Sequence, residues 1–295
     1  MQPRRLAFLG TPDAAVGPLR ALHDSGYEIV AVVTQPDKRR GRGAALVPSP
    51  VKAAAVELGL GPVVTHRVDD VIDADAELGV VVAFGRLIKA HVLEALPMVN
   101  VHFSLLPRWR GAAPVERAIL AGDARTGVCL MELEVGLDTG PVLGRRVVPI
   151  GDDETAAELR QALTIEGTDL LLSQLRAGLS PGVAQEGEST YAAKIDPAEL
   201  RLCWTAPAAQ LHRVVRVGHA WTTFRGRRLG VHRTTVVPPT AGAGLALASG
   251  EMGGVVVGTG DGLLELVEVQ PEGKSVMSAL AWVNGARPRP GERLV

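Results

Sequence analysis

Four short apolar runs constrain the fold most: RLAFLG (5–10), YEIVAVVT (27–34), LGVVVAF (78–84) and MVNVH (98–102). The last three carry β-branched residues, and most of the four lack polar alternation. A strand apolar on both faces must be covered on both faces, which is the situation of a parallel strand in an α/β sheet. The intervening segments read as helices. Thr11 to Ser25 ends at the natural stop Gly26; Val51 to Leu58, Lys89 to Leu96 and Pro114 to Ala121 follow, the last opening on proline. A glycine-, proline- and arginine-bearing loop is expected from Gln35 to Pro50. Thr126 to Leu133 and Val142 to Pro149 read as strands flanking the loop 134–141. Thr155 to Leu179 is mostly helical in pattern, preceded by acidic residues at 152–154. Strands alternating with helices mean βαβ units. The expected fold class is therefore α/β, with a Rossmann-like, mainly parallel sheet.

That pattern stops near Leu179. Residues 180–200 are polar, with glycine and proline, and read as a linker. One amphipathic helix follows at about Ala206 to Val217. Then come short runs broken by glycine and proline, RRLGVHRTTVV, GGVVVGTG and GLLELVEVQ, which suggest a small β-barrel. The expected division is 1–182 for a catalytic domain, 183–200 for a linker and 201–295 for a barrel domain. A chain of 295 residues that is 46% hydrophobic has material for both cores. Cys129 and Cys203 stand far apart and support neither a disulfide framework nor a metal knuckle. Cys129, in GVCLMEL, reads as a buried thiol. The N-terminal apolar stretch is too short for a signal region or a membrane span, so a cytoplasmic protein is expected.

Chemistry in an open α/β sheet sits beyond the carboxyl ends of the strands. The first such turn, FLGTPDAA, holds only Gly10 of a three-glycine dinucleotide fingerprint, so a plain turn is expected there. Three other strand ends deliver candidates. Phe84, Gly85 and Leu87 follow one strand, Asn100 and His102 end the next, and Asp138 lies in the loop EVGLDTGP. This set lacks a nucleophile; Ser104 is nearby, but no nucleophile elbow frames it. One histidine and one aspartate are too few to hold a metal. The set does suit acyl transfer to an external amine, which brings its own nucleophile. Asn100 would donate to the developing oxyanion, His102 would move a proton, and Asp138 would hold the ring tautomer. The same spacing equally fits an Asn and a His that merely cap a strand. Leu105, Leu106 and Pro107 fit either a loop tucked under the sheet edge or the wall of a slot. With Phe84 and Leu87, such a wall would suit a flat heteroaromatic cofactor.

NVHFSLLPRWRGAAP followed by GDARTGVCLMELEVGLDTGPVL closely resembles the methionyl-tRNA formyltransferase family. So do FLGTPDAA, TQPDKRRGRG with VPSPVK, VVVAFGRLI and GDGLLELVEVQPEGKSVMSA, so that the resemblance runs from Leu6 to Val295. It implies that Asn100, His102 and Asp138 are the catalytic set. It implies that Ser104, Leu105, Leu106 and Pro107 form a folate-binding signature, and that 10-formyltetrahydrofolate is the formyl donor with no metal needed. The implied acceptor is initiator methionyl-tRNA, the implied barrel resembles an OB-fold, and a monomer fits the family. Two places depart from the pattern. Phe103 stands where many relatives have a small residue or proline, and would either narrow the site or pack sideways. RVGHAWTTF also differs from the usual stretch.

Relatives with the same core formylate a sugar amine or a ribonucleotide amine, so charge placement must select the acceptor. The 35–50 loop carries Lys38, Arg39, Arg40 and Arg42, with Lys52 just beyond it, against one acid, Asp37. Between Glu199 and Glu251 there is no acidic residue but seven arginines: Arg201, Arg213, Arg216, Arg225, Arg227, Arg228 and Arg233. One-sided charge in a chain of formal net charge -1 points to a nucleic-acid partner. The expected RNA contacts are Lys38, Arg39, Arg40, Arg42, Arg213, Arg216 and Lys274. Trp221 and Phe224 lie among these charges and read as either stacking or core residues. Arg108, Trp109 and Arg110 would either touch RNA or brace their loop.

Overall fold

The computed structural model describes residues 3–40, 45–241 and 246–295. Arg42 lies outside the described residues, and Arg40 is described by its backbone alone. Two compact units are formed. The first comprises Met1–Val115, Arg125–Pro149 and Arg160–Ala193; the second comprises Glu116–Ala124, Ile150–Leu159 and Lys194–Val295.

The chain begins with β1 (Arg5–Gly10), α1 (Val16–Asp24), β2 (Glu28–Val33), β3 (Lys38–Arg40), β4 (Ala45–Val47), α2 (Pro50–Glu57) and β5 (Val64–Thr65). Next come β6 (Leu78–Val82), α3 (Ala90–Ala95), β7 (Met98–His102), β8 (Arg110–Gly111) and α4 (Pro114–Ala121). Then follow β9 (Arg125–Glu132), β10 (Val142–Pro149), α5 (Ala156–Ala177) and β11 (Tyr191–Ala192). The central sheet is seven-stranded, ordered β10-β9-β7-β6-β1-β2-β5. Strands β5, β2, β1, β6 and β7 run parallel; β9 runs antiparallel to β7, and β10, antiparallel to β9, runs in the direction of the five. The apolar runs thus become the parallel strands, and β6 is buried along its whole length. β10 is an outer edge, and its second half alternates exposed and partly buried residues accordingly.

From β1 the chain winds outward through β2 to β5, then crosses back to β6 and β7. The order therefore reverses between β1 and β6. The crevice at the carboxyl ends of these strands is the place for a ligand. α5 covers one face closely. A Cβ added at Gly167 would lie 2.7 Å from Val101 Cγ1 and 3.0 Å from Val128 Cγ2, and 3.8 Å from Phe103 Cε1. Phe103 therefore packs sideways against this helix rather than narrowing the site. Strand alternation then turns Asn100 and His102 to the opposite face.

Among the described residues of the 35–50 segment, β3 and β4 pair antiparallel, so these parts are strand rather than plain loop. The stretch from 180 onward also does more than connect. Val183 exchanges both backbone hydrogen bonds with Val142, and β11 pairs in parallel with β8. Extended backbone in a polar sequence carries no apolar period, so these pairings left no pattern to read.

The second unit's later elements are α6 (Ala208–Val217), β12 (Trp221–Phe224), β13 (Arg227–Val236), β14 (Met252–Gly253), β15 (Val256–Gly258), β16 (Leu263–Pro271), β17 (Met277–Ser278) and α7 (Ala279–Ala286). The strands form an antiparallel sheet ordered β12-β13-β16-β15-β14, with β17 added on β16. Register shifts at Val231 to Thr234 bend β13, as barrel-type sheets require. The core gathers Trp204, Leu211, Val215, Leu229, Val231, Leu264, Leu266 and Val269. Phe224 belongs to it, edge-on to Trp282 at 5.2 Å.

Candidate active site

β7 delivers Asn100 and His102 to the same face at its carboxyl end, one strand from the point where the strand order reverses. His102 is buried, at 5% exposure. Its Nε2 lies 2.9 Å from the carbonyl oxygen of Trp109. A carbonyl only accepts, so Nε2 carries a proton. Nδ1 faces the Asp138 carboxylate at 3.7 Å, within ionic reach but beyond a direct hydrogen bond. The tautomer-fixing bond is thus made by the Trp109 carbonyl, and Asp138 acts as the neighbouring charge. Asp138 Oδ2 accepts from the Gly111 backbone N–H at 2.8 Å. The Asn100 side chain is half-buried and has no hydrogen-bond partner among the described residues, so its amide is a free donor.

Two of these groups rest on left-handed backbone: Asp138 has φ 50° and Trp109 has φ 62°. Such a conformation costs a non-glycine residue about 1–3 kcal/mol and persists only where surroundings over-determine it. The surroundings are visible. Trp109 N–H donates to Thr190 Oγ1 at 2.8 Å, and Arg110 N–H donates to Thr190 O at 2.9 Å. Gln185 Nε2 donates to the carbonyls of Asp138 (2.9 Å) and Gly140 (2.8 Å). Gln185 Oε1 accepts from Arg110 Nε at 3.0 Å and Nη2 at 2.7 Å. Arg110 thus braces the loop, and Arg108 lies over the Trp109 ring at 4.3 Å. Sequence reasoning missed Gln185 and Thr190, because they act largely on backbone groups, which have no residue signature, and lie far along the chain from the loops they hold.

The expected cofactor wall divides into two layers. Ser104 is fully buried and donates to Arg108 O at 2.6 Å. Leu106 packs with Cys129, Met131 and Val142, and Phe84 with Ala7, Leu9 and Val81. Burial pushes the Cys129 thiol up, in keeping with a structural role. Phe84, Ser104 and Leu106 are thus buried packing residues. Leu105 and Pro107 are half-buried and Leu87 is 77% exposed, while Gly85 turns the chain at φ 70°.

The basic residues also sort. Lys38 and Arg39 are exposed on β3, whereas Lys52 is neutralised by Asp37 at 2.8 Å. In the second unit Arg216 is 9% exposed and donates to the carbonyls of Glu154 and Gly151. Arg213 is half-buried, its guanidinium against Gly122. Arg225 is paired with Glu292, which it holds at about 2. Arg227, Arg228, Arg233 and Lys274 are exposed. Arg201 and Arg228 stack on Trp221 at 5.5 and 4.6 Å. Trp221 is therefore a half-buried ring at the core's margin, covered by two arginines, and Phe224 a core one. Among the described residues there is no cluster that could hold a metal ion and no helix long and apolar enough to cross a membrane.

Comparison with known proteins gives this fold and site a class. The family model described as "Formyl transferase" matches residues 4–175, and "Formyl transferase, C-terminal domain" matches residues 194–287. The chain is therefore a formyl-transferring enzyme. The sequence is 44% identical over 309 residues to the methionyl-tRNA formyltransferase of Symbiobacterium thermophilum, covering 98% of this chain and 94% of that one. It is 43% identical over 302 residues to the methionyl-tRNA formyltransferase of Jannaschia sp., covering 97% and 98%. The chain belongs to the methionyl-tRNA formyltransferase family. A Helicobacter canadensis N-formyltransferase, solved with folinic acid and dTDP-3-aminofucose, shares the fold alone: TM-score 0.68, 16% identity, over 90% of this chain and 98% of that one.

Proposed function

We propose that this enzyme moves a formyl group from N10 of 10-formyltetrahydrofolate to the free amino group of methionine carried on initiator tRNA. The observation that carries the reading is the convergence of a free Asn100 amide, a buried His102 and the Asp138 carboxylate at one strand end. The amine nitrogen attacks the formyl carbon, and its oxygen becomes an oxyanion to which Asn100 donates. A preorganised donor of this kind contributes about 10²–10³ in rate. His102 Nδ1 takes the proton that the amine loses, and the imidazolium is stabilised by Asp138 beside it. As the carbon–N10 bond breaks, that proton passes to N10. The products are a formamide and tetrahydrofolate, with no net proton released. The pteridine is expected along Gly85, Leu87, Leu105 and Pro107, above the floor formed by Phe84, Ser104 and Leu106.

The acceptor is read from charge. Exposed Lys38 and Arg39 in the first unit, and Arg227, Arg228 and Lys274 in the second, suit a phosphate backbone and have no use for a small amine. Arg40 and Arg42 share the first loop and Arg213 lies at the margin; Arg216 serves through structure. In this reading residues 1–182 carry the reacting groups, 201–295 take the RNA, and 183–200 join them while also supplying Gln185 and Thr190 to the first unit's loops. The chain works as a cytoplasmic monomer. The deciding experiment offers the enzyme 10-formyltetrahydrofolate with methionyl-tRNA, a nucleotide-linked amino sugar or a ribonucleotide amine in competition. Formyl should appear on methionyl-tRNA; preferential formylation of either small amine would reject the reading.

A further inference from the structure

We infer that Gln185 is a positioning residue for catalysis, acting through Asp138. It lies in the polar stretch after the last helix of the first unit, remote in sequence from the residues it serves. Its amide is saturated by them: both donors go to the carbonyls of Asp138 and Gly140, and its oxygen accepts two bonds from Arg110. This pattern fixes the amide's orientation, since a reversed amide would aim its donors at a guanidinium and its oxygen at two carbonyls.

The two clamped carbonyls bracket Thr139, just beyond the left-handed Asp138. Holding them holds the turn that aims the Asp138 carboxylate. That carboxylate then meets Gly111 N–H at 2.8 Å and stands 3.7 Å from His102 Nδ1. Arg110 precedes Gly111 directly, so Gln185 ties together the two loops between which the carboxylate is caught. The flanking chain is itself anchored, through Val183 on Val142 at one end and β11 on β8 at the other. A misplacement of about 1 Å in a catalytic group can cost about 10²-fold in rate, so loss of the clamp should appear in kcat.

The inference rests on Asp138 being part of the catalytic set. A merely structural role for Gln185 makes different predictions, and Gln185→Glu separates the two. The carboxylate keeps, and strengthens, the contact to Arg110, but it has no donors for the Asp138 and Gly140 carbonyls. Steady-state formylation, thermal unfolding and single and double substitutions with Asp138→Ala are measured on the full-length enzyme. Gln185→Glu and Gln185→Ala should each lower kcat about tenfold or more, with KM for either substrate within about threefold. Gln185→Glu should unfold within a few degrees of the parent. On an Asp138→Ala background the further loss from Gln185→Ala should largely vanish, because both changes remove one function. If Gln185→Glu and Gln185→Ala stay within about twofold of the parent kcat while Asp138→Ala collapses it, the inference alone is wrong. Full multiplication of the two losses would also overturn it. If Asp138→Ala itself leaves kcat intact, the catalytic reading of Asp138 fails first and takes the inference with it.

Discussion

His102 donates from Nε2 to the carbonyl oxygen of Trp109, 2.9 Å away and seven residues on in the chain. A backbone carbonyl cannot reverse its role, so the ring keeps its proton on Nε2 and turns Nδ1 toward Asp138. Trp109 is in turn held in left-handed backbone by Thr190. Which ring nitrogen of His102 is left to face Asp138 is thus set by main-chain geometry.

Ser104 supports that geometry from beneath. Its hydroxyl is spent on Arg108 O, one residue before Trp109, so Ser104→Ala should weaken the loop more than the folate site. Losing this buried bond should cost about 1–2 kcal/mol of stability. The folate dissociation constant should stay within about threefold. Calorimetric unfolding and folate titration check both; a large rise in that constant without loss of stability would place the hydroxyl on the cofactor instead.

Gly167 lets α5 approach the back of β7. Gly167→Ala would put a methyl into Val101 and Val128 and should destabilise by about 1–3 kcal/mol despite alanine's better helix propensity. Because Val101 lies between Asn100 and His102, turnover should fall as well. Chemical denaturation with activity measured on the folded fraction tests it; unchanged stability and rate would mean the helix can retreat freely.

The fold was legible where burial imposes a period. The parallel strands and α4 follow directly from apolar runs and the proline at Pro114. The site was legible only in part. Asn100 and His102 sit two apart on a strand end, and Asp138 lies in a glycine-punctuated loop, so residue type and position pointed to them. What holds them did not show: Gln185, Thr190, Gly111 N–H and the Trp109 carbonyl act through backbone groups brought together only by folding. The basic residues show the opposite error. Charge placement alone put Arg216, which is buried on two carbonyls, among the expected RNA contacts and left out Arg228, which is exposed.

That distinction predicts salt behaviour. Each of Arg227→Ala and Arg228→Ala should weaken tRNA binding and reduce the slope of log affinity against log salt by about 1. Arg216→Ala should leave the slope alone and instead lower the unfolding temperature, since its charged hydrogen bonds contribute about 1.5–3 kcal/mol. Salt-titrated binding and thermal melts of the three variants check this. A reduced slope for Arg216→Ala with normal stability would reverse the assignment.

His212 is buried on α6, with Nδ1 3.0 Å from Thr234 Oγ1 and Nε2 3.1 Å from Asp153. Burial is the main cause that lowers its pKa below the ordinary 6.5, outweighing the Asp152 carbonyl and Asp153 that raise it. The unfolded chain therefore binds the extra proton more readily just below pH 6.5. The stability of this unit should be full above about pH 6.5 and decline as pH falls below it. His212→Gln should flatten that decline. Denaturant midpoints from pH 8 to pH 5 measure it, and equal slopes for parent and variant would show that His212 does not drive the change.

The most direct test of the central claim is a single-turnover measurement of formyl transfer from 10-formyltetrahydrofolate to methionyl-tRNA. It compares the parent with Asn100→Ala, His102→Ala and Asp138→Ala, with both substrates saturating. Each variant should fold and bind both substrates within a few-fold of the parent. Asn100→Ala should transfer formyl about 10²–10³ more slowly, the loss of one oxyanion donor, and the other two should also collapse the rate. A near-parental transfer rate for Asn100→Ala or His102→Ala would mean that the end of β7 is not where the formyl group changes hands.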